Sequence, residues 1–470
     1  MAASSTISWH DFVQAVRKYK PSDVVALCGM VSAENVANRN NVLGPTGTDC
    51  FALAAISKVS LIHGNEHRHD HIDRAALRRL CSLLIAVKDP FIDDNKLSSF
   101  LVRIGHEQFP YQELPMRPLG RTYALLIDAA AEANQDIINA PFWEQALGCT
   151  LEQFVQIAVM LFGWAQNSSG RLVLGNLDQS DYGPMLRVLP RAVIEAVIAQ
   201  HFVATVAEFK QIAAEYADPN KYNRRYEFNA LTIRPFVMCG STYAIAPVQR
   251  HIWGRATPGS LYYVGCKHGG KHFTNALGAC FEKYVGKQLH QIDGAAVSSE
   301  IVFNGDKSVD YIVILPSVVI LIEAKATPLK LSSRIGGDSL TSDIDRAPGK
   351  GIRQLLATAK LVRSRHPQFA HVPIDRPMVG LVVTLETYHA CNNSFVLCEE
   401  QSELAVALIS VGELEGVAVL DSAELQEILV DLSARRENAE WRLSEKLSGR
   451  SQKRNAILHS AWSKYEFPRS

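Results

Sequence analysis

From Thr150 the chain reads TLEQFVQIAVMLFGWAQ, with apolar residues at 151, 154, 155, 158, 161, 162 and 165. That spacing lines one face of a helix, and Thr150 with Gln153 three residues later forms a capping box at its start. A core-facing helix is predicted there. Runs of the same period predict helices near 9–19, 73–88, 121–134 and 189–217. Residues 1–218 therefore read as a mainly α-helical domain without a fixed-period repeat, whose role (recognition, assembly or regulation) the pattern leaves open.

The texture changes from about residue 219. After the polar, turn-rich PNKYNRRYEFN, short apolar strands alternate with helices. FTNALGACFEKYVGKQL has helical spacing, SVDYIVILPSVVILIEAKATP reads as two strands, GKGIRQLLATAKLVRSR is helical, and MVGLVVTLE and LAVALISV are strand-like. Helix, strands, helix, strand is an α/β pattern with a largely buried central sheet. Residues 422–465 read as C-terminal helices with Glu, Lys and Arg on their exposed faces, which closes a second domain over 219–470.

The strand pair at 308–328 holds charges that a purely structural sheet does not need. With Pro316 and Ser317 at the tip of a hairpin, Asp310 falls opposite Glu323, and Lys325 projects from the same face because strand side chains alternate with period two. The opposite face is expected to be apolar, with Val309, Tyr311, Val313, Ile320 and Ile322. Carboxylates facing each other across a strand pair sit about 5 Å apart at Cβ, and like charges there are destabilising. A proton, a cation or a cationic side chain has to compensate them. Lys325 neutralises only one. A divalent ion bridging Asp310 and Glu323 is the simplest arrangement that satisfies both, and Mg²⁺ suits hard oxygen ligands. Such an ion acts as a Lewis acid on a phosphodiester and lowers the pKa of bound water, while Lys325 orients the water or balances developing charge.

Composition narrows the class of protein. The 470 residues exceed one ordinary core; 47% are apolar and 20% charged, as in folded globular chains. Lys plus Arg (48) equals Asp plus Glu (48), so net charge marks no polyanion binder. Between Lys210 and His290, however, eleven Lys and Arg stand against Glu215, Asp218, Glu227 and Glu282. Within this island Arg224, Arg225, Lys267 and Lys271 are candidate phosphate contacts. The nine cysteines contain no C-x-x-C pair, which argues against a zinc ribbon or a thioredoxin-like site and fits reduced thiols. The N-terminal stretch lacks the apolar core of a signal peptide and no apolar run is long enough to span a bilayer, so a cytoplasmic location without membrane contact is expected. HGNEHRHDH gathers His63, His67, His69 and His71 with Glu66 and Asp70, but lacks H-E-x-x-H spacing and reads as a polar loop or capping segment.

Residues 229–385 resemble the PD-(D/E)xK, restriction-endonuclease-like nucleases, particularly the bacterial defence nucleases of that superfamily. The motif is Asp310 followed by Glu323-Ala324-Lys325, with Val309 in place of the proline. LGACFEKYV resembles the first helix of that fold, and GIRQLLATAK the helix after the E-x-K strand. RPFV, YAIAPVQRHIWGRATPGSLYY and FTNALG resemble the lead-in of such nucleases. The resemblance implies a mixed sheet flanked by helices. It also implies Mg²⁺, replaceable by Mn²⁺, on Asp310, Glu323 and the Ala324 carbonyl, with Glu282 as a further metal ligand. Gln354 would position water or phosphate. The expected function is a metal-dependent endodeoxyribonuclease, the effector of an antiphage defence system. Its expected partners are DNA, a second subunit such as a sensor or ATPase, and further copies of itself. An RNA nuclease on the same fold, or a catalytically silent nucleic-acid-binding or assembly subunit, are the alternatives.

Overall fold

The computed structural model describes residues 6–37, 49–88, 97–112, 115–173, 186, 189–219, 223–240, 242–303, 305–334, 339–389, 391–392, 404–434, 441–450 and 452–467. Residues 435–440 of the expected C-terminal helical tail lie outside them.

The N-terminal part is built of helices, as the apolar spacing predicts. Thr150 and Gln153 close the expected capping box on the Leu151–Asn167 helix, and Ser8 with Asp11 does the same at Trp9–Val16. Two features depart from the prediction. A small sheet of β1 (Arg171–Leu172), β2 (Val203–Ala204), β3 (Phe236–Met238) and β4 (Ala244–Ile245), in the order β1-β4-β3-β2, gathers strands from well-separated stretches of chain. The run 189–217 is accordingly split, with β2 between a helical segment ending at Phe202 and the Val206–Glu215 helix. Val203 is β-branched and its backbone pairs with Phe236, so tertiary pairing overrides the helical period there.

The second sheet contains the strand pair that the charge pattern singled out. It comprises β5 (Ala296–Ser299), β8 (Tyr311–Ile314), β9 (Val319–Lys325), β10 (Met378–Thr384) and β11 (Ala405–Ser410), in the order β11-β10-β9-β8-β5. A short ribbon of β6 (Val302–Phe303) and β7 (Asp306–Lys307) lies between β5 and β8 in sequence. β5, β8 and β9 are antiparallel neighbours, whereas β9, β10 and β11 run parallel, which requires crossovers. The first crossover contains the Lys350–Arg363 helix. β10 is buried along its whole length, as parallel strands covered on both faces are. Mixed strands flanked by helices match the α/β class expected from the sequence.

Alternation sorts the side chains onto two faces. Ile312, Val319, Leu321 and Val382 pack with Leu355, Ala359 and Val362 of the Lys350–Arg363 helix. Tyr311, Val313, Ile320, Ile322 and Val383 pack with Phe281, Tyr284 and Val285 of the Pro258–Leu289 helix. The same cluster takes in Trp143, Phe154 and Leu161, so one core spans both sides of position 218. Among the described residues no single helix is long and apolar enough to cross a membrane. Ala140–Leu147 and Leu151–Asn167 reach that length only as a pair bent by 46°.

Candidate active site

The β8–β9 hairpin has the register predicted from its tip. Tyr311 pairs with Ile322 and Ile314 with Val319, and the Leu315 N–H donates to the Val318 carbonyl across Pro316-Ser317. Asp310 sits at the bend just before β8, and its N–H donates to Glu323 Oε2 at 3.4 Å. In return the Ala324 N–H donates to Asp310 Oδ2 at 2.7 Å. The two acids thus stand side by side where β8 begins and β9 ends. Val309 is a correction to the expected faces: it packs with Ile312 and Leu321, and its N–H donates to Thr358 Oγ1 at 3.1 Å. Regular alternation starts only with the ladder at Tyr311.

Lys325, next but one along β9, places its ammonium on Glu323 Oε1 and donates to Gln354 Oε1 at 3.2 Å. Gln354 therefore joins the cluster from the Lys350–Arg363 helix, as the resemblance implies. Gly351 was not singled out in the sequence, although a glycine one turn before Gln354 was the available signal. A Cβ there would stand 3.2 Å from Glu323 Cγ and 3.3 Å from Val382, so the glycine permits close approach of this helix to β9.

The site is short of positive charge. Burial, and then the charge of Asp310, push the Glu323 carboxyl up from its ordinary 4.5 to about 7, against the opposing pull of Lys325. Burial likewise raises Asp310. Glu282 on the Pro258–Leu289 helix is raised by burial, then by Asp310 and Glu300, with Lys307 and Lys325 opposing. The β6–β7 ribbon brings Lys307, which the sequence reading did not single out, into an ion pair with Glu300 at 2.8 Å. Glu282 also borders β8 through its backbone, whose carbonyl accepts from the Tyr311 hydroxyl at 3.1 Å.

Among the described residues no group of three or more His, Cys, Asp or Glu side chains is placed to hold a metal ion. The hard oxygens that could hold a cation here are those of Asp310, Glu323 and the Ala324 carbonyl, a donor type that suits Mg²⁺ with waters. That two of these donors are acids whose ionisation is suppressed by burial fits an incoming cation, which restores their charge.

The basic island is not one patch. Arg224, Lys267 and Lys271 are exposed, the two lysines flanking Gly270, where the Pro258–Leu289 helix is broken by a backbone at φ 53° and ψ −134°. Arg225 corrects the expectation of a surface phosphate contact. Its guanidinium forks onto Glu107 at 3.0 and 3.1 Å, with both side chains about one-tenth exposed. Arg255 is buried and donates to Ser260 Oγ. The histidine-rich segment has a capping role: Glu66 accepts from the N–H and hydroxyl of Ser22 at the start of the Pro21–Ala37 helix, and His71 pairs with Asp23 at 2.7 Å.

No protein-family model, curated protein or solved structure matches the chain.

Proposed function

We propose that the protein is a Mg²⁺-dependent endonuclease that hydrolyses DNA phosphodiester bonds as the effector of a bacterial antiphage defence system. The observation that carries this reading is the convergence of Asp310, Glu323, Lys325 and Gln354 at one end of the β8–β9 hairpin. Asp310, Glu323 and the Ala324 carbonyl would hold the ion, which supplies a Lewis acid and an activated water. Water attack on phosphorus builds negative charge on the phosphoryl oxygens and on the departing oxygen. The Lys325 ammonium stands beside the carboxylates to balance that charge, and Gln354 holds Lys325 in place by accepting one of its hydrogens. Exposed Lys267, Lys271 and Arg224 grip the phosphate backbone without reading bases. DNA as substrate, a partner subunit and self-association are parts of the same proposal.

Incubating the full chain with supercoiled plasmid, single-stranded DNA and RNA, each with Mg²⁺, Mn²⁺ or EDTA, tests it. Nicked or linear plasmid that depends on the metal and disappears with Lys325→Ala is the expected result. Cleavage that survives EDTA overturns the mechanism, and cleavage of RNA alone replaces the substrate.

A further inference from the structure

A cavity of about 1280 Å³ lies apart from the catalytic cluster. Its floor is formed just beyond the carboxyl ends of β10 and β11, by Leu385, Glu386, Ser410 and Gly412. In open α/β sheets the carboxyl ends of parallel strands are where ligands bind. Its far wall comes from the Cys50–His63 and Leu97–Gln108 helices. It exceeds the ~300–1,000 Å³ of an ordinary small-molecule pocket, which leaves room for a ligand of more than one ring system.

The walls have two chemical characters. Eight Lys and Arg stand against five Glu among the lining residues, and with Arg121 neutralised by the buried Glu415 behind it an excess of two cations is left. Aromatic rings are interleaved with them: Arg103 and Arg225 lie 5.5 and 5.0 Å from the Tyr226 ring centre, Arg250 lies 5.9 Å from Tyr111, and Arg334 lies 5.9 Å from Tyr263. Tyr216, almost half exposed, lies tilted against Phe228 with ring centres 4.6 Å apart and offers a further ring. The buried Nε2 of His106 meets no hydrogen-bond partner, an unmet requirement that a ligand donor or acceptor satisfies. Arg334 is paired with Glu386, both side chains about a quarter exposed, and such a pair can open to admit a competing anion.

We propose that this cavity binds a nucleotide, with phosphates on Arg334 and its cationic neighbours and the base against the tyrosine faces. Guanidinium groups suit phosphate geometry, and aromatic faces stack on any base. The inference does not rest on the nuclease reading, because neither Asp310, Glu323, Lys325 nor Gln354 lines the cavity.

Thermal unfolding of the full chain, in EDTA so that metal-dependent cleavage plays no part, tests the proposal with four probes: ATP, NAD, inorganic pyrophosphate and a single-stranded DNA 12-mer. ATP or NAD is expected to raise the Tm progressively through the millimolar range, as binding to the folded state requires, and pyrophosphate to raise it less. Two variants report on the site. Arg334→Gln removes a phosphate ligand. Gly254→Leu is chosen to occlude the space, since Gly254 lines the cavity and a Cβ there meets no atom within 4 Å. Both are expected to lose most of the nucleotide shift. No shift with ATP or NAD, a shift undiminished in Gly254→Leu, pyrophosphate equalling ATP, or a response to the 12-mer alone would each overturn the assignment.

Discussion

Replacing Glu323 by Gln tests the electrostatics of the acidic pair through stability, and so works even if turnover needs an activator. Glu323 ionises near its ordinary 4.5 when unfolded and at about 7 in the folded protein. The folded state therefore binds the extra proton between these two values, and stability from this residue falls as pH rises across the window, then stays flat above it. A shift of that size corresponds in full to about 3.5 kcal/mol at roughly 1.4 kcal/mol per pH unit. Buried His106, His201, His251 and His389 act in the opposite sense, since burial holds them below 6.5 and their neutral forms favour the fold as pH rises through acid values. The useful quantity is therefore the difference between wild type and Glu323→Gln, in which these histidines cancel. Urea unfolding in EDTA from pH 4.5 to 8 is expected to show wild type losing about 3 kcal/mol relative to the variant by neutral pH. Saturating Mg²⁺ should reverse the trend for wild type, with a gain of about 2.7 kcal/mol at a hundredfold excess over Kd, and do much less for the variant. A difference curve that is level, or that rises with pH, refutes the strained acidic pair.

Other perturbations follow from the same geometry. Lys325→Ala is expected to abolish Mg²⁺-dependent cleavage while preserving the wild-type melting response to Mg²⁺, measured by thermal scan, because the ammonium contacts a carboxylate rather than acting as a ligand. Arg225→Ala should lower urea stability by several kcal/mol, on the order of 3, since it strands Glu107 in a largely buried site, and its effect on DNA affinity should not exceed what that instability explains. Arg121→Met should cost about 3–5 kcal/mol in the same assay, because Glu415, wholly buried and also accepting from Tyr284 at 2.7 Å, loses its cation. Gly286→Ala would drive a methyl into the Tyr311 hydroxyl; a loss of about 1–3 kcal/mol is expected, together with reduced cleavage as Glu282 is displaced.

The sequence by itself determined the local parts of this protein. A two-residue tip and the period of two set which residues of β8 and β9 face each other, so the neighbourhood of Asp310, Glu323 and Lys325 was legible from spacing alone. Helical period likewise marked the Leu151–Asn167 and Lys350–Arg363 helices, the first with a capping box as well, and the second delivered Gln354 to Lys325. Tertiary structure decided what depends on partners distant in the chain. Arg225 read as one more cation in a basic island, yet Glu107, 118 positions away, makes it a buried ion pair. Val203 and Ala204 lay inside a helical run until Phe236 and Val237 offered them a backbone ladder. The cavity walled by the Cys50–His63 helix and by residues following β10 and β11 left no trace in any local pattern. The physical reason is the same in each case. Periodicity and turn chemistry act over a few residues and can be read along the chain, whereas burial of a charge, pairing of a strand edge and enclosure of space are properties of surfaces that meet only after the chain has folded.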